Sequence, residues 1–249
     1  MRPALRAIAS SLKARAESAT GCRVYRKSIP QGTDLAADIA RSFGLENIRT
    51  AFDVGANVGQ SALAYLDLFP RATIYSFEPV RATFEQLRTA TRQHERVKTF
   101  QTAMGAQEER RSIHVASDSR KSSLDHARDA AQMEEIEITT LDRFAAAAGI
   151  ATIDLLKIDT EGHELAVLEG GRTLLRDQRV HLLMLECEPV ATGGAFTPFS
   201  AVAEFLAPLG YQLFGIYDQQ LDWDGARRVQ YFNALFVSDR LAENGFPQP

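Results

Sequence analysis

Cysteine and long apolar runs are both scarce in this chain of 249 residues. The two cysteines, Cys22 and Cys187, are too few for a disulfide framework or a four-thiolate zinc site. No stretch approaches the ~18 uninterrupted apolar residues that cross a bilayer. The basic N-terminus also lacks the apolar centre and the small-residue cleavage site of a secretory signal. We therefore expect no integral membrane segment and a location in the reducing cytoplasm.

The chain also has no excess of positive charge, because its formal net charge is −4. Residues 1–30 nevertheless carry seven Lys or Arg against a single acid, Glu17, so the rest of the chain is strongly acidic. Bulk electrostatics therefore disfavours nucleic acid as a partner. Leu5, Ile8 and Leu12 recur at helical spacing. Residues 1–47 are predicted to form a basic helical extension that touches a membrane surface, or packs on its own domain or on a second copy in a homo-oligomer.

Residues 48–249 alternate between short apolar runs and longer helical patterns, the order of an α/β domain. The runs TAFDV, TIYSFEP and VKTFQTAMG predict strands that are separated by the helices of GANVGQSALAYLDLF and VRATFEQLRTAT. IDLLKID and VHLLMLECEP predict two further strands that are covered on both faces. The pattern predicts one domain with a mostly parallel sheet and helices on both sides.

Four stretches of this domain carry more specific signals. Residues 105–140 hold two strand-like runs around a polar stretch, which predicts an inserted hairpin or loop. YQLFGIYD and YFNALFVS are joined by a segment without helical periodicity and should pair antiparallel. Gly170 and Gly171 predict a break or a tight approach within the helix HELAVLEGGRTLLRD. Thr197 followed by Pro198 predicts a capped helix start.

A glycine turn follows the first strand in AFDVGANVGQS. Glycines there let backbone N–H groups approach a ligand at the carboxyl edge of the sheet. The dinucleotide pattern G-x-G-x-x-G is not met, because Asn57 stands at the second glycine and Gln60 follows Gly59 directly. Asp53, at the strand end, suits a ligand that carries an ammonium group.

Glu78 ends the second strand about 20 residues beyond that turn. An acid at this position can accept hydrogen bonds from both hydroxyls of a ribose, which predicts a nucleoside in the ligand. We expect Asp53 and Glu78 to be solvent-accessible groups at the strand ends.

Four runs together resemble the FkbM family of S-adenosylmethionine-dependent methyltransferases, over roughly residues 48–238. They are FDVGANVGQSA, SFEPVRATFEQL, IDLLKIDTEGHELAVLEGG and NALFV. The resemblance implies a Rossmann-like sheet of seven strands that is mostly parallel, with an antiparallel C-terminal strand. It also implies O-methylation of hydroxyl groups, typically on sugars, glycolipids or polyketides.

The same resemblance assigns residues to the cofactor S-adenosyl-L-methionine. It implies that Glu78 holds the ribose and that Ala103 and Met104 line the adenine. The implied methionine-side loop consists of Asp53, Gly55, Asn57 and Gly59. The family segment that often reads EGAE is EGHE here, with His163 in the position of the alanine.

Methyl transfer to an alcohol requires alignment of the hydroxyl and removal of its proton. His163 is the first candidate base because imidazole titrates near neutral pH. Asp159 or Glu161 follows, and Lys157 comes last. Lys157 lies in a buried apolar strand and needs a carboxylate partner, which either Asp159 or Glu186 can supply.

Acceptor contacts are predicted for Ser122 and Ser123 in the polar insertion and for Glu186 and Glu188 at the end of the fifth sheet strand. The carboxylates at this edge offer oxygen ligands to a divalent cation such as Mg²⁺, but no spacing is diagnostic of a metal site and a metal is not favoured. Two alternative functions stay open on the residues alone. They are a nicotinamide-dependent oxidoreductase and a non-catalytic nucleoside-binding module.

Overall fold

The computed structural model describes residues 18–20, 29–116, 130–191, 196–221 and 227–246. The strands in chain order are β1 (Thr50–Val54), β2 (Thr73–Phe77), β3 (Val97–Phe100), β4 (Ala103–Met104), β5 (Glu109–Ala116), β6 (Ala130–Thr139), β7 (Ile153–Ile158), β8 (Val180–Glu188), β9 (Thr197–Pro198), β10 (Tyr211–Leu221) and β11 (Val229–Ser238). The helices are α1 (Leu35–Ser42), α2 (Gln60–Leu68), α3 (Arg81–Thr91), α4 (Leu141–Ala147), α5 (Glu164–Gly170), α6 (Arg172–Arg176), α7 (Phe199–Leu206) and α8 (Asp239–Asn244). Within these ranges no helix has the length and apolar character to cross a membrane.

The main sheet runs in the order β3, β2, β1, β7, β8, β11, β10, and the two-residue strand β9 is added beside β8. Strand β1 pairs in parallel with β2 and β7, whereas β11 is antiparallel to both β8 and β10. The seven-stranded, mostly parallel sheet with an antiparallel C-terminal strand is therefore confirmed. Its parallel strands place their carboxyl ends at a single edge, where doubly wound folds bind ligands.

Helices cover both faces of this sheet, because side chains alternate along each strand. Phe52 of β1 is buried in one core with Leu141 of α4 and Val167 of α5. Its neighbour Ala51 is buried in the opposite core with Ile39 of α1. The two cores together enclose β1 and β7 at the centre of the sheet.

Helix α1 is part of the folded body. Asp38 is fully buried and accepts hydrogen bonds from the Gly32 amide and the Tyr217 hydroxyl. Residues 35–47, which the sequence assigns to the extension, thus pack against the sheet. The predicted amphipathic segment around Leu5–Leu12 lies outside the residues that the structure describes.

The sequence predicts one continuous third strand over residues 97–105, but the structure divides it into two. The first part is β3 in the main sheet, and the second part is β4 in a separate three-stranded sheet with the order β4, β6, β5. Strand β2 ends at Phe77, opposite Phe100, so the backbone beyond Phe100 has no partner on that side. Ala103 pairs instead with Ile138 of β6. Strands β5 and β6 are antiparallel to each other and flank residues 117–129.

The glycine pair is a break, as predicted, since α5 ends at Gly170 and α6 begins at Arg172. A Cβ at Gly170 would lie 2.0 Å from the carbonyl oxygen of Gly105, so this helix also approaches a neighbouring backbone closely. The predicted cap at Thr197 is wrong. Pro198 is the N-cap of α7, and the Thr197 hydroxyl donates to the buried carboxylate of Glu164.

Candidate active site

The glycine turn after β1 packs against the end of β7. Gly55 has φ +80°, and a Cβ there would stand 1.8 Å from the carbonyl oxygen of Asp159. Gly59 has φ +99° and is the N-cap of α2. Asn57 also has a positive φ, of 48°. The turn leaves no room for a side chain at Gly55, which brings its backbone close to the carboxyl edge of the sheet.

Glu78 lies beneath this turn. One of its oxygens accepts from the Asn57 amide at 3.1 Å and the other from the Val80 amide at 2.9 Å. The residue is only 7% exposed, so the expectation of a solvent-accessible carboxylate is wrong: the turn closes over it. Burial raises the pKa of Glu78 to about 7, against the opposing effect of the Val80 and Asn57 amides.

Asp53 is buried as well, at 0% exposure, so the expectation is wrong for this residue too. The parallel register of β1 and β7 places it opposite Lys157, whose Nζ lies 3.5 Å from Asp53 Oδ1. Neither Asp53 oxygen has a hydrogen-bond partner among the described residues. Burial raises the pKa of this carboxyl, and the Lys157 ammonium opposes that effect.

Lys157 donates to Asp159 Oδ2 at 3.0 Å, which is one of the two pairings that the sequence left open. Burial lowers the pKa of Lys157, but the charges of Asp53 and Asp159 outweigh it and the pKa is raised overall. Lys157 is therefore a cation held between two carboxylates. In this charged form the ammonium has no lone pair with which to accept a proton from an acceptor hydroxyl.

Glu186 stands on the next strand, on the same sheet face as Met184, which is opposite Lys157 in the register of β7 and β8. Burial first, and then the nearby charges of Asp159 and Glu161, raise the pKa of Glu186 to about 8. The raised pKa favours the protonated form, which can donate a hydrogen bond. Glu188, two residues further on, is buried.

Glu161 and His163 lie in the loop between β7 and α5. Glu161 has φ +50°, a left-handed conformation that is uncommon for a residue with a side chain. His163 is the N-cap of α5. Both side chains are partly exposed at the edge that also carries Asp159. The candidate bases are thus brought to one end of the sheet.

The remaining predicted site residues are those assigned to the adenine and to the acceptor, and the metal ligands. Ala103 and Met104 form β4, and Met104 is buried in the core that contains Phe52. Ser122 and Ser123 lie outside the described residues. No three His, Cys, Asp or Glu side chains in the described ranges converge closely enough to hold a metal ion.

Two residues were missed by the sequence reasoning. Tyr65 of α2 is buried, its hydroxyl has no hydrogen-bond partner in the described part of the chain, and the charges acting on it include those of Lys157 and Asp53. The sequence signal was that Tyr65 follows Ala62 by three residues and so lies on the apolar face of α2. A tyrosine hydroxyl that is buried there needs a hydrogen-bond partner. Glu164 was read only as part of a motif, although it is buried.

These features fit S-adenosyl-L-methionine. Asp53 is a buried carboxylate that lies 3.5 Å from the Lys157 ammonium and makes no hydrogen bond among the described residues, so it can accept from the ammonium group of a ligand. The side-chain-free turn at Gly55 allows a ligand to approach the backbone. Glu78 stands at the end of β2, where an acid receives ribose hydroxyls. A parallel sheet with an antiparallel last strand and this arrangement at its edge defines the class of Rossmann-like methyltransferases.

The family follows from comparison with known proteins. The family model described as the methyltransferase FkbM domain matches residues 53–213. The chain therefore belongs to the FkbM family of S-adenosylmethionine-dependent methyltransferases.

One curated relative is the 2-O-methyltransferase NoeI of Sinorhizobium fredii (strain NBRC 101917 / NGR234). It is 26% identical over 143 residues, which cover 51% of this chain and 59% of the relative. The match thus spans less than two thirds of that protein.

Three solved structures are also similar to this chain. Precorrin-6y C5,15-methyltransferase from Geobacter metallireducens GS-15 has 11% identity and a TM-score of 0.46, covering 86% of this chain and 93% of its own. Fibrillarin from Aeropyrum pernix, with bound S-adenosyl-L-methionine, has 16% identity and a TM-score of 0.45 (77% and 67% covered). TrmK from M. capricolum, with S-adenosyl-homocysteine, has 9% identity and a TM-score of 0.48 (86% and 69% covered).

Proposed function

We propose that this protein is an O-methyltransferase that acts on a hydroxyl group of a sugar, a glycan or a natural product. The observation that carries the proposal is that several ionisable side chains, which can accept or donate a proton, lie at the carboxyl edge next to the turn at Gly55. Asp159 follows β7, Glu186 lies on the same face of the sheet two residues before β8 ends, and the loop with Glu161 and His163 lies between β7 and α5. The curated relative, whose name states 2-O-methylation, supports the same reaction.

The proposed cofactor residues divide into two groups. Asp53 and the backbone of residues 55–59 would hold the methionine end, while Glu78 would accept hydrogen bonds from the ribose. When bound, S-adenosyl-L-methionine supplies a methyl group on a positively charged sulfur. The two ion pairs that Lys157 makes, one with Asp53 and one with Asp159, keep both carboxylates oriented at this end of the sheet.

The chain's own task is to align the acceptor hydroxyl and to remove its proton. His163 is the first proposed base, with Asp159 or Glu161 as the alternatives. Glu186 is proposed to bind the acceptor, because its raised pKa lets it donate a hydrogen bond to an acceptor oxygen at neutral pH. Lys157 keeps an electrostatic role, since a lysine that remains charged cannot act as a base.

Incubation with methyl-labelled S-adenosyl-L-methionine and a panel of neutral methyl glycosides tests this function. We expect an alkali-stable methyl ether on the glycoside and release of S-adenosyl-homocysteine. Glu78→Ala serves as the control and should show little transfer, and circular dichroism checks its fold because the buried Glu78 also accepts from the Asn57 and Val80 amides. Label that appears only on amines would contradict O-methylation. Cofactor binding without transfer to any hydroxyl in a wider acceptor panel would favour a binding module instead.

A further inference from the structure

Glu164 is a buried carboxylate, 1% exposed, that the proposed chemistry does not use. Its Oε1 accepts from the Thr160 amide at 2.8 Å and from the Thr160 hydroxyl at 3.0 Å. Its Oε2 accepts from the Gly162 amide at 3.1 Å. The first residue of α5 thus reaches back and holds the loop that connects β7 to this helix.

That loop has a conformation that needs support. Glu161 and Gly162 both have positive φ, of 50° and 102°. A left-handed residue with a side chain costs free energy and persists only where surrounding contacts determine it. The amides of Thr160 and Gly162 flank Glu161 on both sides, and both donate to Glu164. The orientation of the Glu161 and His163 side chains therefore depends on this carboxylate.

The same carboxylate also holds a second segment. The Thr197 hydroxyl donates to Glu164 Oε2. Thr197 is buried in β9, pairs with Cys187 of β8, and is therefore tied to the strand that carries Glu186. Glu164 consequently connects the loop after β7 to the chain that returns from β8 to α7.

We propose that Glu164 and Thr197 are positioning residues, which together hold the loop 160–163 against β8 so that the candidate bases and Glu186 face one acceptor hydroxyl. The proposal rests on the function proposed above. It explains why Thr197 lies in β9 rather than serving as a helix cap. Small displacements of a base can cost up to about 100-fold in rate, so this connection controls turnover without touching the substrate.

Thr197→Val tests the connection, because it replaces one hydroxyl by a methyl group of similar size. Thr140→Val is the matched control. The Thr140 hydroxyl caps α4 by accepting from the Arg143 amide, and Thr140 has no place in the proposed site. Thr197→Ser restores the hydroxyl. Glu164→Gln provides a second variant, since an amide cannot accept from all the donors that surround Glu164.

Two readouts separate the outcomes. We expect amide hydrogen exchange in residues 160–163 to accelerate at least about tenfold in Thr197→Val and Glu164→Gln, and to stay at the wild-type rate in Thr140→Val and Thr197→Ser. We expect kcat to fall at least about tenfold in the first two variants, with unchanged affinity for S-adenosyl-homocysteine. If the exchange rates and kcat values of Thr197→Val and Glu164→Gln equal those of the Thr140→Val control, the proposal is overturned. If the wild type methylates no hydroxyl, the proposed function fails, and the exchange data still decide whether Glu164 and Thr197 hold the loop.

Discussion

Gly55 packs against the backbone carbonyl of Asp159, so the turn after β1 lies in contact with the start of the loop after β7. A Cβ at Gly55 would stand 1.8 Å from that oxygen, and the backbone has φ +80°. The proposed cofactor turn therefore packs on Asp159, the residue at which the loop with the candidate bases begins.

Gly55→Ala should therefore be severely destabilising, by about 3 kcal/mol or more, because the strained φ and the backbone clash add. Gly149→Ala is the control. Gly149 also has a positive φ, of 66°, but a Cβ there would meet nothing within 4 Å. We expect a loss of about 1 kcal/mol for that variant. Urea denaturation measures both, and equal losses would contradict the packing described here.

Glu78 makes stability depend on pH. Its pKa of about 7 in the folded chain lies above the ordinary value of 4.5, so the folded state binds this proton more tightly than the unfolded state does. The contribution to stability is fully present below about pH 4.5 and is lost as pH rises through 7, by about 3 kcal/mol at most. Denaturation of the wild type and of Glu78→Gln from pH 5 to pH 8 checks this prediction. As pH rises, the free energy of unfolding of the wild type should fall relative to that of Glu78→Gln.

Tyr65→Phe should leave the free energy of unfolding unchanged or slightly raised, because the hydroxyl that is removed is buried without a described partner. Tyr211→Phe is the contrasting variant. The Tyr211 hydroxyl donates to the Val180 carbonyl at 2.7 Å, and its loss should cost about 1 kcal/mol. Thermal and chemical denaturation of both variants provide the measurement. A large loss in Tyr65→Phe would show that its hydroxyl is hydrogen-bonded in solution.

His163→Ala should lower turnover at least about tenfold and leave the affinity for S-adenosyl-homocysteine unchanged, since general-base removal contributes about 10²- to 10⁴-fold in rate. Single-turnover kinetics and calorimetric titration separate the two effects. A fully active variant would move the proposed role to Asp159 or Glu161. Asp159→Asn and Glu161→Gln would then be compared in the same assay.

Deletion of residues 1–28 should leave a folded chain that binds S-adenosyl-homocysteine, because Asp38, Ile39 and their contacts with Gly32 and Tyr217 are retained. Deletion of residues 1–47 removes α1 and leaves the Tyr217 hydroxyl without its buried acceptor. We expect that longer deletion to lose several kcal/mol or to aggregate. Equal stability of the two truncated proteins would contradict a structural role for α1.

The order of the elements could be predicted from the sequence because it depends on local signals. Apolar runs of strand length, helical periodicity and the polar connection before β11 predicted the parallel sheet and its antiparallel last strand. The positions of Asp53 and Glu78 at strand ends were predictable for the same reason. So was a carboxylate partner for Lys157, because a lysine in an apolar strand must be paired.

Only the tertiary structure decided what surrounds those groups. Asp53 is buried in the central strand opposite Lys157, and Glu78 is buried where the Asn57 amide of the turn donates to it. No local pattern reports the path of that turn or the register of the two strands. The break after Phe100 depends on where β2 ends, and the pairing of Thr197 with Glu164 joins residues 33 positions apart. The sequence by itself determined which chemical groups reach the edge of the sheet. Their burial, charge state and partners depend on contacts between distant segments, which exist only once the chain has folded.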